Sequence, residues 1–178
     1  AIKNERTSNT LSDEIVFRIE PYPYQREILE RLKAERELYR HYKNLVVAAT
    51  GTGKTVISAF DYKEFRKQNP QSKNRLLFVA HRQEILKQSL KTFRGILKDY
   101  NFGDVLYGGQ TPLQKDHLFI SVQSFNSQNF CGKFPPDFYD YIVIDEVHHA
   151  SASSYQKLLS YFTPKVLLGL TATPERMD

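Results

Sequence analysis

The stretch LVVAATGTGKT, residues 45–55, decides the fold. It begins with a short apolar run and ends in a segment rich in glycine and threonine. Gly51 and Gly53 allow the backbone to turn so that its N–H groups converge on one anion. A helix that begins near Gly53 directs the positive end of its dipole at the same point, where Lys54 and Thr55 follow. The stretch therefore predicts a strand, a phosphate-binding loop and a helix, in that order.

The residue types in this loop favour a nucleotide with Mg²⁺ as its ligand. A lysine at this position reaches the β- and γ-phosphates, and the hydroxyl of the next threonine ligates Mg²⁺. Ala48 stands at the first position of the eight-residue pattern, where glycine is common. The predicted nucleotide contacts are Thr50, Gly51, Thr52, Gly53, Lys54 and Thr55, of which Thr55 is also a predicted Mg²⁺ ligand.

Four more apolar runs follow along the chain, and they indicate how the domain is built. They are LLFVA (76–80), LFISV (118–122), YIVI (141–144) and VLLGL (166–170). Nearly continuous runs are typical of strands that are buried on both faces of a parallel sheet. Helical patterns cover residues 24–42, 82–98 and 153–162, whereas residues 123–140 are rich in loop-forming residues.

This alternation predicts an α/β domain with a mainly parallel sheet and helices on both faces. Ligands of such sheets bind outside the carboxyl ends of the strands, so the residues that follow each apolar run are the candidates for function. The predicted domain covers residues 15–178, after a flexible lead-in of residues 1–14.

The composition excludes several classes of protein. Hydrophobic residues make up 40% of the chain and charged residues 25%, which is typical of a globular domain. No apolar run approaches the roughly 20 residues that cross a bilayer, so we expect no membrane partner. The single cysteine, Cys131, forms no internal disulfide, which favours a reducing, cytoplasmic setting. The chain does not begin with methionine, so we expect it to be a piece of a longer protein.

The positive charge is concentrated in one segment. Residues 63–98 hold ten basic and two acidic residues, although the net charge of the whole chain is only +5. A local basic excess suits a polyanionic partner such as nucleic acid, but it is also typical of a solvated helix face. We favour the solvated face for the basic stripe, whose members are Lys87, Lys91, Arg94 and Lys98.

The fourth apolar run ends in the acidic segment YIVIDEVHHA, residues 141–150. A magnesium nucleotide needs a second carboxylate at the end of another strand, and Asp145 holds that position. Glu146 is then placed to polarise the attacking water as a general base. The alternative is a zinc site that combines both acids with His148 and His149. We disfavour it because adjacent histidines directly after a strand point in different directions, whereas the usual zinc motif spaces them four apart.

With GTGKT and DEVHH in this order, the chain resembles the superfamily-2 helicases and translocases. The resemblance is to their first RecA-like motor domain, and especially to the DExH type found in restriction-enzyme motor subunits and related bacterial helicases. It covers the chain from about residue 20 to its end. It implies ATP and Mg²⁺ as cofactors and nucleic acid as partner, with DNA weakly favoured over RNA.

The resemblance also implies roles for residues outside the phosphate loop and the acidic segment. PYPYQREIL is similar to the element in which a glutamine reads adenine, and Gln25 is the matching residue, with Tyr22 or Tyr24 as aromatic neighbours. AHRQEILKQ is similar to motif Ia, where His81 and Arg82 would contact the nucleic-acid backbone.

Later motifs of the family have weaker counterparts in this chain. YGGQTP and SVQSF are similar to strand-gripping segments, and they contribute Gln110, Gln123 and Ser124 as candidates. TAT at residues 171–173 matches motif III, in which Thr171 and Thr173 would couple the ATP site to the nucleic-acid site. His148, at the last position of the DExH box, would bond toward this coupling region.

The resemblance thus implies an ATP-binding motor domain that hydrolyses ATP with a second RecA-like domain, which this chain lacks. An arginine finger supplied from outside contributes orders of magnitude to the rate in such enzymes. We therefore expect this chain alone to hydrolyse ATP poorly and to unwind nothing. The alternatives are a phosphate-loop ATPase that remodels protein, and a catalytically inactive module that binds nucleotide or nucleic acid.

Overall fold

A single parallel sheet organises the computed structural model, which describes residues 19–48, 53–108, 111, 114–146 and 152–172. Its strands are β1 (Lys43–Ala48), β2 (Leu76–Ala80), β3 (Asp104–Leu106), β4 (His117–Ser121), β5 (Tyr141–Asp145) and β6 (Val166–Ala172). Their order across the sheet is β1-β6-β5-β2-β4-β3, and every neighbouring pair is parallel. The predicted α/β class is therefore confirmed.

Helices cover both faces of this sheet. The described helices are α1 (Pro23–Tyr39), α2 (Gly53–Gln68), α3 (Gln83–Leu97), α4 (Val122–Ser127) and α5 (Ala152–Tyr161). The core between the sheet and α1, α2 and α3 contains Phe78, Tyr141 and Leu168. The core on the opposite face contains Val79, Ile144 and residues of α4 and α5. Alternate residues of each strand point to opposite faces, so adjacent residues such as Phe78 and Val79 enter different cores.

Local sequence explains where α1 and α3 begin and end. Pro23 opens α1, a position at which a missing N–H costs nothing, and the Gln25 side chain accepts a hydrogen bond from the backbone of Tyr22. In α3, Leu86, Leu90 and Phe93 are buried, as the predicted apolar stripe requires. Both helices end at a residue in the left-handed conformation, Arg40 after α1 and Lys98 after α3.

The structure differs from the sequence-based expectations at four places. The first helix ends at Tyr39 and not at residue 42, because β1 begins at Lys43. β1 is not buried on both faces: it lies at one edge of the sheet, and Leu45 and Val47 are exposed by 60% and 48%. Residues 123–140, expected to be loop, contain most of α4 and a short 3₁₀ helix (Phe130–Gly132). The pattern also misses β3, which has only three residues.

No helix of the described ranges is long and apolar enough to cross a membrane. The expected lead-in, residues 1–14, lies outside those ranges.

Candidate active site

The candidate site lies at the carboxyl edge of the sheet, where the strand ends meet. β1, β6 and β5 are neighbours there, and the first turn of α2 lies close to the acids at the end of β5. Gly53, Lys54 and Thr55 form the first turn of α2, with the amino end of the helix at this edge. The ends of β2 and β4, which carry the candidate nucleic-acid contacts, lie on the other side of β5.

Lys54 is the centre of the site. Its Nζ lies 3.2 Å from Oδ1 of Asp145 and 3.6 Å from Oε1 of Glu146. The side chains of Lys54 and Asp145 are almost completely buried, whereas that of Glu146 is 30% exposed. Thr55, the next residue of α2, is also buried. The sequence-predicted phosphate ligand, magnesium ligands and general base therefore come together in this structure.

The electrostatics of Asp145 show a carboxylate that lacks water. Burial raises the pKa of Asp145, and the nearby Lys54 ammonium opposes this shift without cancelling it. Its Oδ1 accepts a hydrogen bond of 2.9 Å from the backbone N–H of Glu146. A desolvated carboxylate beside a buried ammonium and a buried hydroxyl is a donor set that suits Mg²⁺ with a nucleotide phosphate, so the residues fit both groups.

The backbone at Glu146 is unusual. Its φ is 52°, in the left-handed region that residues other than glycine rarely adopt. Such conformations persist only where the surrounding structure holds them, and they occur often at functional sites. The turn allows the chain to leave β5 directly after Asp145, and it presents the Glu146 side chain at the mouth of the site, where water can reach it.

Gln25, the candidate adenine reader, is 2% exposed and binds protein groups in this structure. Its Oε1 accepts from the Tyr22 N–H at 2.8 Å, and its Nε2 donates to the Gly53 carbonyl at 3.3 Å. The amide thus ties the beginning of α1 to the beginning of α2. Tyr22 and Tyr24 stack beside it and are substantially exposed. Adenine reading by Gln25 stays a prediction.

The segment after β2 holds two different candidates for nucleic-acid contact. Arg82 is exposed and precedes α3 with an extended backbone, so its guanidinium is accessible to a phosphate. His81 is partly buried, and its ring meets the edge of the Tyr155 ring at a centroid distance of 5.7 Å. Its Nε2 is buried and has no hydrogen-bond partner among the described residues.

The segment after β4 also holds one exposed and one buried candidate for nucleic-acid contact. Gln123 is exposed, whereas Ser124 is 3% exposed. The Ser124 hydroxyl accepts from Ser121 Oγ at 2.9 Å and donates to the Gly108 carbonyl at 3.4 Å. Ser124 therefore holds the loop that contains Gly108 in this arrangement, and a direct contact with nucleic acid stays a prediction.

Thr171 lies near the end of β6, between the two strands that carry the nucleotide residues. It pairs with Val47 of β1, and the preceding Leu170 pairs with Asp145 of β5. This is the place that a coupling residue requires, although coupling itself stays a prediction.

Six other predicted residues lie outside the described ranges. They are Thr50, Gly51, Thr52, His148, Thr173 and the nucleic-acid candidate Gln110.

The basic stripe on α3 serves more than one purpose. Lys87 and Lys91 are exposed, as expected of a solvated face. Arg94, in contrast, donates to the carbonyls of Phe102 and Gly103 at 2.7 and 2.9 Å. It therefore fixes the connection from α3 to β3, a role that its position in a charge stripe does not indicate.

Two further findings bear on the zinc alternative and on residues that the sequence did not single out. Within the described part of the chain, no group of three or more His, Cys, Asp or Glu side chains is arranged to hold a metal ion, while His148 and His149 fall outside it. Tyr155 of α5 belongs to the core on that face of the sheet, but its buried hydroxyl has no hydrogen-bond partner among the described residues. No sequence motif distinguishes it.

The fold and this site define a helicase-type motor domain with a RecA-like architecture. The chain belongs to the family described as "Type III restriction enzyme, res subunit", whose model matches residues 18–176. This membership confirms the resemblance to restriction-enzyme motor subunits and helicases.

Proteins that are similar to this chain in sequence include a restriction-enzyme subunit and helicases. The chain is 35% identical over 140 residues to a type I restriction enzyme EcoAI endonuclease subunit of Escherichia coli, covering 74% of this chain and 16% of that protein. It is 33% identical over 170 residues to a putative mitochondrial ATP-dependent helicase irc3 of Schizosaccharomyces pombe, covering 91% and 27%. It is 26% identical over 163 residues to the DNA 3'-5' translocase XPB2 of Sulfurisphaera tokodaii, covering 89% and 34%. The chain thus spans about a third or less of these relatives.

Solved structures show the same fold. The Hef helicase domain of Pyrococcus furiosus matches with a TM-score of 0.66 at 20% identity, covering 89% of this chain and 34% of that one. The UvsW helicase of bacteriophage T4 matches with a TM-score of 0.64 at 17% identity, covering 86% and 53%. The expected RecA-like fold is therefore confirmed.

Proposed function

We propose that this chain is the ATP-binding half of a motor that hydrolyses ATP with Mg²⁺ and moves along nucleic acid. The observation that carries the proposal is the buried ammonium of Lys54, 3.2 Å from Asp145 and 3.6 Å from Glu146 at the beginning of a helix. The ammonium group and the positive end of the helix dipole both attract an incoming phosphate. A lysine held between two carboxylates at a helix amino terminus can therefore move to that phosphate.

The residues of the site divide the work of hydrolysis between them. Lys54 would hold the terminal phosphates, while the Thr55 hydroxyl and the Asp145 carboxylate would hold the metal ion. Mg²⁺ supplies charge neutralisation at the phosphate oxygens when it is bound. Glu146 orients the attacking water and accepts its proton. Gln25 links the adenine-binding end of the site to the beginning of α2 through its bond to the Gly53 carbonyl.

The nucleic-acid partner would lie across the ends of β2 and β4. Arg82 and Gln123 are exposed there, beside the site but on the far side of β5. Side chains of these types contact phosphates without reading sequence, so they suit a motor that travels along a strand. We favour DNA over RNA because one relative is named as a DNA translocase. A cytoplasmic location is likewise part of this proposal.

A complete motor also needs a second RecA-like domain, and we propose that the parent protein provides it. The long remainder of the relatives, which this chain does not cover, supports this proposal. Such a domain would close over the nucleotide and supply an arginine finger to the transition state.

The test is an ATPase assay of the complete polypeptide that contains this chain, with and without single-stranded DNA, duplex DNA and RNA. We expect Mg²⁺-dependent hydrolysis that nucleic acid stimulates. Glu146→Gln should keep nucleotide binding and lower kcat by roughly 10²–10⁴-fold, the usual contribution of a general base. Glu35→Gln, the same change at an exposed glutamate of α1, is the matched control and should leave kcat unchanged.

Three results would separate the alternatives. Hydrolysis that nucleic acid does not stimulate favours an ATPase that remodels protein. Nucleotide binding without hydrolysis favours an inactive binding module. If Glu146→Gln retains the wild-type kcat, the assignment of the general base is wrong.

A further inference from the structure

Tyr155 of α5 has a hydroxyl group that the fold buries without a partner. Its side chain is 2% exposed, and its Oη forms no hydrogen bond with any residue of the described ranges. A buried polar group of this kind normally has a partner, because it loses its bonds to water on folding and gains nothing in return. Such an exception in a folded domain calls for an explanation, and function is one of the few available.

The surroundings of this hydroxyl connect it with the candidate active site. Burial raises the pKa of Tyr155 to about 12, and the negative charges of Asp145 and Glu146 contribute to the same shift. The Tyr155 Oη bonds to neither carboxylate within the described part of the chain, and the contact that joins it to the site is its ring packing against His81. With a pKa this high the phenol stays protonated at neutral pH, so its O–H is a permanent donor.

His81 links Tyr155 to the nucleic-acid side of the sheet. The two rings meet edge to face, with an interplanar angle of 82°. Val79 of β2 pairs with Ile144 of β5, and His81 and Glu146 each follow two residues later, so the two segments leave the sheet side by side. His81 also precedes Arg82, the exposed candidate for phosphate contact.

Of the two acids, Glu146 is the better acceptor for this hydroxyl. Asp145 is almost completely buried, and its Oδ1 already accepts a backbone N–H and faces Lys54. The Glu146 carboxylate is 30% exposed and lies farther from Lys54, at 3.6 Å, than the Asp145 carboxylate does. A nucleotide phosphate that attracted Lys54 would compete with Glu146 for its ammonium group.

We propose that Tyr155 is a positioning residue, whose hydroxyl donates a hydrogen bond to the Glu146 carboxylate in the nucleotide-bound state and so aims that carboxylate at the attacking water. His81 holds the Tyr155 ring in place and connects its position with nucleic acid bound at Arg82. This inference rests on the proposed function, because it assigns Glu146 as the general base. It adds a residue to the reaction that neither the motif pattern nor the family membership identifies.

The kinetic test compares two buried tyrosines of the same core in the complete polypeptide. Tyr155→Phe removes the unpartnered hydroxyl, whereas Tyr139→Phe removes a hydroxyl that donates to the Lys115 carbonyl at 2.8 Å, away from the site. Tyr155→Phe should lower the nucleic-acid-stimulated kcat by roughly tenfold or more, as the loss of a supporting hydrogen bond does at other sites. Its KM for ATP and its melting temperature should stay at or near the wild-type values.

Tyr139→Phe should show the opposite pattern, with a lower melting temperature and an unchanged kcat. His81→Ala should change kcat in the same direction as Tyr155→Phe, because the ring loses its support. If Tyr155→Phe keeps the wild-type kcat while the wild-type protein hydrolyses ATP, the inference is wrong and the proposed function stands. A fall in melting temperature with unchanged kcat would likewise show that the hydroxyl is merely structural.

A structural test decides the inference without measuring activity. A crystal structure of the wild-type protein with Mg²⁺ and a non-hydrolysable ATP analogue should place Tyr155 Oη within about 3.2 Å of a Glu146 carboxylate oxygen. A separation beyond about 4 Å, well outside hydrogen-bond range, would overturn it. If the protein binds the analogue but hydrolyses no ATP, the proposed function and the positioning role fail together, and the distance then decides only whether Tyr155 bonds to Glu146. If no nucleotide binds, Lys54 has no new partner and both proposals fail.

Discussion

The strands of this parallel sheet begin at one edge, the amino edge, and end at the opposite one, the carboxyl edge. Each of these two edges contains a buried ion pair, but the two pairs are constructed differently. At the amino edge, Arg36 of α1 donates two hydrogen bonds to Asp61 of α2, at 2.6 and 2.8 Å. Asn44 and the Tyr141 hydroxyl complete this group: Arg36 also bonds to Asn44, and Tyr141 donates to Asp61. At the carboxyl edge, Lys54 makes single and longer contacts of 3.2 and 3.6 Å with two acids.

This difference shows how the same kind of interaction can serve stability or function. A bidentate arginine pair in which each guanidinium nitrogen and both carboxylate oxygens are engaged has one arrangement, and it fixes the helices relative to the sheet. A lysine is a single flexible charge that exchanges one anion for another at little cost. The carboxyl edge also contains two buried polar atoms that have no hydrogen-bond partner among the described residues, His81 Nε2 and Tyr155 Oη. Asn74 Oδ1 is a third such atom, away from the site.

The largest effect is expected when the amino-edge pair is broken. Arg36→Met leaves the Asp61 carboxylate buried with only the Tyr141 hydroxyl beside it. We expect the free energy of unfolding to fall by about 3–5 kcal/mol, the usual result of removing one partner of a buried pair. Urea unfolding followed by circular dichroism measures this loss. Nucleotide affinity of the folded fraction should not change, since Arg36 lies at the opposite edge from Lys54.

A double variant separates the two explanations of such a loss. Arg36→Met combined with Asp61→Leu removes both charges, and it should recover most of the lost stability because no charge stays buried alone. If the double variant is as unstable as Arg36→Met, the loss comes from packing and the ion pair is not the cause.

The second expected effect is a pH dependence of the free energy of unfolding, which arises at His117, also far from the site. Burial lowers the pKa of His117 from 6.5 to about 4, and the charge of Arg66 adds to the shift. Its ring stacks on Phe102, and its Nδ1 accepts the N–H of Leu76 at 3.3 Å, which only the neutral ring can do. The folded state therefore binds this proton less readily than the unfolded state.

It follows that the His117 contribution to stability is complete above pH 6.5 and is lost as the pH falls from 6.5 to about 4. Over this window the wild-type protein should lose about 3 kcal/mol more than His117→Gln, which keeps an acceptor but has no titratable group. Urea unfolding of both proteins at several pH values measures the difference. Parallel stability curves would show that His117 titrates normally in the folded protein.

The fold was largely predictable because its signals are local and repeated. Five apolar runs indicated five of the six strands, and their ends agree with the structure within a few residues. β3 escaped detection because three residues are too few to show a pattern. The exposure of Leu45 and Val47 was also unpredictable, since a sequence does not show which strand of a sheet lies at its edge.

The site was predictable in its membership but not in its contacts. Motif order alone singled out Lys54, Asp145 and Glu146, and the structure brings them together, although their roles stay predictions. Sequence could not show that the Gln25 Nε2 donates to the Gly53 carbonyl, because this contact depends on how α1 meets α2. Tyr155 was missed because an apolar stripe contains partnered and unpartnered tyrosine hydroxyls alike, and only the packed core distinguishes them.

The smallest effect on stability is expected at Lys54, although its effect on nucleotide binding is large. Lys54→Met removes the cation from the carboxyl edge, but two features limit the damage. Asp145 already has a raised pKa, so it takes up a proton more readily than an ordinary aspartate, and Glu146 keeps contact with water. We therefore expect a loss of about 1–2 kcal/mol, which is smaller than that for Arg36→Met.

The decisive experiment measures both the stability and the nucleotide binding of the same variant. Lys54→Met should weaken the binding of a fluorescent ATP analogue by at least tenfold, whereas Lys157→Met, at an exposed position of α5, should change neither quantity. If Lys54→Met destabilises the protein as much as Arg36→Met does, the two edges are not different in kind, because the carboxyl-edge pair then also holds the fold together. A small loss of stability with a large loss of binding means that the fold keeps Lys54 available for exchange.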